Sequence, residues 1–168
     1  MSGGLDKRAL RQTLGQFATG VTVVTCRAPD GTPVGMTANS FTSVSLEPPL
    51  VLWSVDRTAR SFEAFAGAQD FAFSVLAQDQ AAISNRFSKP GVAKFAGGGW
   101  SPGRADVPLI DEAAAHIECV QHTAFAGGDH LIIVGEVVRF KRSARRPLVF
   151  AQGRYGVVAP DPGGMASD

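Results

Sequence analysis

Cysteine and histidine are scarce in this chain of 168 residues, with two of the first and three of the second. Cys26 and Cys119 stand far apart in apolar surroundings, which argues against a disulfide framework and for reduced core thiols in the cytoplasm. His116, His122 and His130 have no Cys or carboxylate spacing that reads as a zinc cluster, so no metal is expected. Charge of one sign is lacking too. A net charge of +1 without a basic block gives nucleic-acid binding no electrostatic support. The longest apolar run, Leu50 to Val55, is far too short to span a bilayer. Met-Ser-Gly-Gly-Leu-Asp-Lys-Arg at the start lacks the apolar centre of a signal peptide, so a cytoplasmic protein is expected. No Gly-x-Gly-x-x-Gly opens a helix after a strand, and no phosphate-loop motif occurs.

What is present is an ordinary globular composition, 45% hydrophobic and 18% charged. One domain over residues 1–168 is expected, with a core of about 5–158 and a disordered tail at 159–168. Leu10, Leu14 and Phe17 fall at helical spacing and predict a helix over Leu5 to Thr19, with Asp6 as N-cap, Gly20 as stop and the apolar stripe in the core. The β-branched run Val21 to Cys26 predicts a strand, Asp30-Gly31 a turn, and Val34 to Phe41 the returning strand of a hairpin. Pro48-Pro49 interrupts that sheet before a mostly buried strand at Leu50 to Val55. A short helix carries Phe62 and Phe65, Phe71 to Leu76 is a strand, and Gln78 to Phe87 a second short helix with Ile83 and Phe87 inward. Ser88 to Asp106, rich in glycine, reads as a long surface loop. Strands follow at Ala114 to Phe125 and His130 to Lys141 around a tight turn, and a last strand at Val149 to Val158 is broken at Gly153. The pattern implies an α+β, mainly β fold: a barrel-like sheet with a leading helix and short peripheral helices.

The densest candidate for a binding stretch lies between Gly35 and Val55. Thr37, Asn39, Ser40, Thr42, Ser43 and Ser45 put six short polar side chains within nine residues. Such residues compete with the backbone for hydrogen bonds and leave the main chain uncovered, so a flat polar ligand could lie directly on N–H and C=O groups. Alone, the stretch reads as a Ser/Thr-rich strand and loop.

Three segments change that balance: Phe17-Ala-Thr-Gly-Val-Thr-Val-Val-Thr25; Gly35-Met-Thr-Ala-Asn-Ser-Phe-Thr-Ser-Val-Ser45 with Pro48-Pro-Leu-Val51; and Gly128-Asp-His130 followed by Ile132 and Gly135-Glu-Val137. In order and spacing they resemble the short-chain flavin reductases, the small components of two-component flavin-dependent monooxygenases, across roughly residues 8 to 158. The resemblance implies a split β-barrel of the FMN-binding type, usually a homodimer with flavin near the subunit interface. It implies hydride transfer from NADH, or NADPH, to FMN or FAD, with reduced flavin supplied to a partner monooxygenase. By the same resemblance, Thr37, Ala38, Asn39 and Ser40 would lie beside the isoalloxazine and ribityl chain, and Ser43, Val44 and Ser45 at the ring edge. Ser54, Arg60 and Ser61 match positions near the ribityl and phosphate, Phe95 a ring-lining phenylalanine, and Tyr155 a segment close to the ring. Gly128, Asp129 and His130 match the motif that receives the nicotinamide, with His130 as the candidate catalytic residue. The family often has Asn where this chain has Asp56, so Asp56 and Arg57 stay outside the expected site. Two rival readings remain: another flavin oxidase on the same barrel, such as a pyridoxamine-phosphate oxidase, and a non-catalytic flavin- or haem-binding barrel.

Overall fold

The computed structural model describes residues 5–91 and 93–159; beyond Ala159 the expected tail lies outside the described residues. The chain runs through helix α1 (Lys7–Leu14) and strands β1 (Thr19–Gly20), β2 (Thr22–Arg27), β3 (Pro33–Ala38), β4 (Thr42–Leu46) and β5 (Pro49–Asp56). Helix α2 (Phe62–Ala66), strand β6 (Asp70–Val75) and helix α3 (Ala81–Ser88) come next. Strands β7 (Trp100–Pro102) and β8 (Pro108–Ile110) flank a 3-10 turn, and β9 (Ala115–Gly127), β10 (His130–Arg142), β11 (Leu148–Ala151) and β12 (Arg154–Val157) complete the fold. Seven strands form one antiparallel sheet in the order β3-β2-β6-β9-β10-β5-β4, while β1-β11-β12 and β7-β8 make two small sheets.

Strand β2 explains why its sequence is apolar without alternation: it is buried on both faces. Val24 and Cys26 point into the interior of the curled sheet, among Trp53, Phe65, Phe71 and Phe73. Val23 points the other way, with Val21, Leu76, Phe87, Ile110 and Leu148. In β5 the alternation is regular, and Val51, Trp53 and Val55 face inward. Trp53 meets Phe65 edge-on at 4.9 Å, a geometry that aromatic quadrupoles favour. At Gly135 in β10 an added Cβ would lie 2.5 Å from Phe71 Cζ and 2.9 Å from the Cys119 Cβ, so the strand passes the core here only as glycine.

Several expectations are corrected. Helix α1 keeps its Asp6 cap, whose side chain accepts from the N–H groups of Arg8 and Ala9, but it ends at Gly15 and buries no residue. Leu14 is 65% exposed and Phe17 80%, so the apolar stripe is not core: helical spacing shows that a face is apolar, not what covers it. Pro48 and Pro49 do not interrupt the sheet; they sit at the tight connection of the β4–β5 hairpin within it. The last strand is two, β11 and β12, turned through Gln152 and Gly153 with φ of 52° and 74°, as a two-residue hairpin of this type requires. The stretch 88–106 is not all loop. Its β7 pairs with β8, and this hairpin hangs on the outer sheet face by polar hooks. Thr25 Oγ1 donates to the Pro108 carbonyl, the Ile110 N–H donates to Ser74 Oγ, and Gln80 Nε2 donates to the Asp111 carbonyl.

Candidate functional site

Strands β3 and β4 are the two edges of the seven-stranded sheet, and the connector at 39–41 carries the chain from one to the other. Thr42 pairs with Leu52, so extending that register by two residues sets Ser40 opposite Ser54. Ser40 makes the ladder bonds with its side chain: its hydroxyl accepts from Ser54 N–H at 3.0 Å and donates to the Ser54 carbonyl at 3.1 Å. The main chain of Asn39 and Ser40 then takes no backbone partner among the described residues. A serine at this spot joins the two edges while leaving main-chain groups open.

A groove of about 1100 Å³ follows the free edge of β3. One wall comes from residues 59–64, with Arg60, Ser61 and Glu63; the other is Phe87, Ser88, Lys94 and Phe95. In an antiparallel ladder, alternate residues turn both main-chain groups to the same side. The Gly35 carbonyl points away from β2, because Lys94 Nζ takes it at 2.9 Å. Two residues on, Thr37 therefore directs its N–H and C=O to the same free edge. Its hydroxyl is already used, donating to the Ser84 carbonyl at 2.6 Å. Arg60 lines the groove with neither an ion pair nor a side-chain hydrogen bond among the described residues. Lys94 is held differently: Nζ also donates to the Phe87 carbonyl at 2.8 Å, and burial pushes its pKa down. Phe95 stands edge-on to Phe87 at 5.1 Å and to Trp100 at 5.8 Å.

Of the residues expected in the site, this groove brings together Thr37, Arg60, Ser61 and Phe95. Tyr155 reaches the far side of α3, its hydroxyl 2.8 Å from Ser84 Oγ and 3.0 Å from Asn85 Oδ1. Ser84 thus ties Thr37 and Tyr155 to one helix. The turn at 128–130 is not part of the groove's lining. His130 pairs with Asp56, and Ile132 with Ser54, so His130 and Ser54 share one sheet face two residues apart. His130 Nδ1 is 2.7 Å from Asp129 Oδ1, and that bond, with the histidine's charge, holds the Asp129 carboxyl below its usual range. Asp56 is lowered by the N–H and hydroxyl of Thr58. Ser43, Val44 and Ser45 lie on β4, the opposite edge; Ser45 bonds the Pro48 carbonyl, and Val44 is half exposed. Sequence reasoning missed Gly35, Ser84, Asn85 and Lys94. Gly35 had a signal as the first residue of the small polar stretch, and Lys94 as the neighbour of Phe95.

The flavin reductase like domain family model matches residues 14–159. The chain is 45% identical to a probable flavin reductase of Rhizobium meliloti over 89% of its own length and 48% of that protein's. It spans 65% of a second Rhizobium meliloti relative, a stachydrine N-demethylase reductase subunit, so it covers about half to two thirds of these relatives. With the FMN reductase (NADH) SmoA of Agrobacterium fabrum it shares 47% identity over 92% of the chain and 87% of the relative. Further relatives are named as reductase subunits of flavin-dependent monooxygenases, among them HsaB of Mycobacterium tuberculosis, 38% identical over 96% of the chain and 87% of the relative. The solved NADH:FAD oxidoreductase SgcE6 of Streptomyces globisporus, in complex with NAD and FAD fragments, superposes with a TM-score of 0.88 at 43% identity, covering 94% of this chain and 95% of that one.

Proposed function

The chain belongs to the flavin reductase like domain family, and from that premise we propose that it is an NAD(P)H:flavin oxidoreductase. It passes a hydride from NADH, or NADPH, to FMN or FAD and supplies the reduced flavin to a separate monooxygenase, as its relatives' names describe for them. The observation that carries this reading is the groove along the free edge of β3. It combines open main-chain groups at Thr37, a guanidinium at Arg60 without an ion pair among the described residues, and an aromatic wall at Phe95. Its size is at the upper end of what small-molecule sites need, and apolar walls with a few polar groups suit a flat ring bearing a polar rim.

The flavin, when bound, supplies the hydride-accepting chemistry, and the chain has to bind, orient and keep out water. Arg60 and Ser61 serve the phosphate end, where a free guanidinium gives a charge-assisted bond. The main chain of Thr37, Ala38, Asn39 and Ser40 serves the ring and ribityl, and Phe95 closes one wall. Ser43, Val44, Ser45 and Tyr155 border the ring, Ser45 and Tyr155 with hydroxyls already tied to neighbours. Gly128, Asp129 and His130 receive the nicotinamide. Asp129 orients the His130 ring through its bond at Nδ1, and Nε2 has no hydrogen bond among the described residues. Ser54 shares the His130 face, which brings the nicotinamide turn toward the ribityl positions. The protein works as a homodimer in the cytoplasm, with the partner subunit covering the open side of this face.

NADH consumption by the purified chain, with and without FMN, FAD and riboflavin, tests the reading. Flavin-dependent turnover that falls about tenfold or more in His130→Ala is the expected result, since a misplaced donor ring costs rate steeply. No turnover with any flavin and either nicotinamide would discard it.

A further inference from the structure

Two cations line the groove, and they are not equivalent. Arg60 is exposed and unpaired among the described residues; Lys94 is partly buried with its ammonium pinned between two main-chain carbonyls. Those carbonyls belong to different elements. Gly35 lies in edge strand β3, and Phe87 in the last turn of α3. Lys94 itself lies on the opposite wall, next to Phe95. One side chain thus ties three elements at a single point.

The packing around that point leaves little slack. An added Cβ on Gly35 would stand 2.7 Å from Phe87 Cε1 and 3.0 Å from Phe95 Cζ. The two rings press against the bare backbone of β3, and the Phe95 carbonyl is 3.4 Å from Trp100 Nε1. An ammonium has three donors, and two of them are spent here. The Gly35 carbonyl, an otherwise unpaired acceptor on a sheet edge, is also capped by this contact.

We propose that Lys94 is a positioning residue: it staples the wall at 93–96 to β3 and α3, fixes the Phe95 ring at the flavin groove, and leaves phosphate recognition to Arg60. The assignment of a flavin to the groove rests on the function proposed above; the staple itself does not. Burial disfavours the ammonium and pushes the lysine's pKa down, a cost that the two carbonyl contacts offset.

Two measurements on Lys94→Met, which keeps the aliphatic stem, separate the possibilities. In flavin-free protein, amide exchange across residues 93–100 rises about tenfold or more, as loss of charge-assisted bonds predicts, while β9 and β10 stay unchanged. Unchanged exchange there overturns the staple whether or not any flavin binds. In titrations of the flavin's own fluorescence, Lys94→Met weakens FMN and riboflavin by the same factor, so their ratio is kept. Arg60→Met weakens FMN about tenfold and spares riboflavin, which has no phosphate. A loss in Lys94→Met confined to FMN would make Lys94 a phosphate ligand and overturn the proposal. Failure of the parent chain to bind either flavin would fall on the proposed function, and the exchange result would still decide the staple. Lys94→Gln, which retains a donor, serves for both measurements if Lys94→Met does not fold.

Discussion

At the scale of single residues, the tightest constraint is Gly135. Its missing Cβ is the space that Phe71 Cζ and Cys119 occupy, and both are core atoms with nowhere to retreat. Gly135→Ala is expected to cost about 1–3 kcal/mol through overpacking, seen as a lower urea midpoint. Cys26 and Cys119 flank Phe71 on neighbouring strands, and burial pushes both thiols up to about 12. Thiols so protonated are poor nucleophiles, so a disulfide reagent should label neither in the native protein and both after unfolding. Rapid native labelling would show the strands opening. Glu118 is a case of opposed effects. Burial pushes its carboxyl up, but the paired guanidinium of Arg139 and the N–H of Arg104 outweigh that and leave it below its usual value. A lowered carboxyl adds stability that is full above about pH 4.3, the ordinary glutamate value, and is lost as pH falls through the lower folded value. Glu118→Gln should therefore destabilise the protein by about 1–3 kcal/mol at neutral pH and shrink the difference from the parent in acid, read from urea midpoints against pH. The cysteines were legible as unpaired core residues from their separation and apolar surroundings. Glu118 and Gly135 were not, because a charge in a strand and a glycine in a strand show nothing of the neighbours that make them necessary.

At the scale of elements, local signals carried far where the chain's own pattern decides the structure. The β2–β3 hairpin, β5, the helices at Phe62 and Phe87, and the β9–β10 hairpin around Gly128 followed from β-branching, turn residues and spacing. Two misses, at Pro48-Pro49 and at Gln152-Gly153, are local turns; the others come from partnership between segments. Strand β1 exists only because Thr19 and Gly20 meet β11, and β7 only because it pairs with β8, which in turn hangs on Thr25 and Ser74. The Ser40–Ser54 clasp is of the same kind. Both residues were expected in the site by resemblance, yet their mutual contact follows from register, which no local pattern reports. Ser40→Ala removes both bonds and leaves the Ser54 N–H and C=O unpaired, at about 1–3 kcal/mol. Thermal unfolding of this variant should start lower, while Ser40→Thr, which keeps the hydroxyl, should stay close to the parent. Equal losses in the two variants would mean that the hydroxyl is not what joins the edges.

At the scale of the whole molecule, the distribution of apolar surface is uneven. The interior is well filled, yet Leu46 is 89% exposed, Phe140 77%, Phe17 80% and Leu14 65%. Single exposed apolar residues are common on proteins, but here they occur on and just after α1, on β4, and on β10, where Val138 and Phe140 lie at the end away from the 128–130 turn and Phe125 of β9 at the turn end. Large apolar side chains exposed close together, as Val138 and Phe140 are in β10, are what an obligate interface buries. The resemblance to the flavin reductases implies a homodimer, and we propose the end of β10 around Phe140 as its interface. The helix α1 stripe, expected in the core of one chain, fits the same account, because its spacing required an apolar partner without saying which chain would provide it. Sedimentation should find the parent chain as a dimer at micromolar concentration. Phe140→Glu, which places a charge on that face without touching the groove residues, should shift it to monomer. If dimerisation completes the nicotinamide side of the site, turnover per chain in Phe140→Glu should fall at low protein concentration and recover as concentration rises, while the flavin-free fold shown by circular dichroism is unchanged. A parent chain that is monomeric at all concentrations, yet fully active, would place the entire site within one protomer and leave the exposed face to another partner.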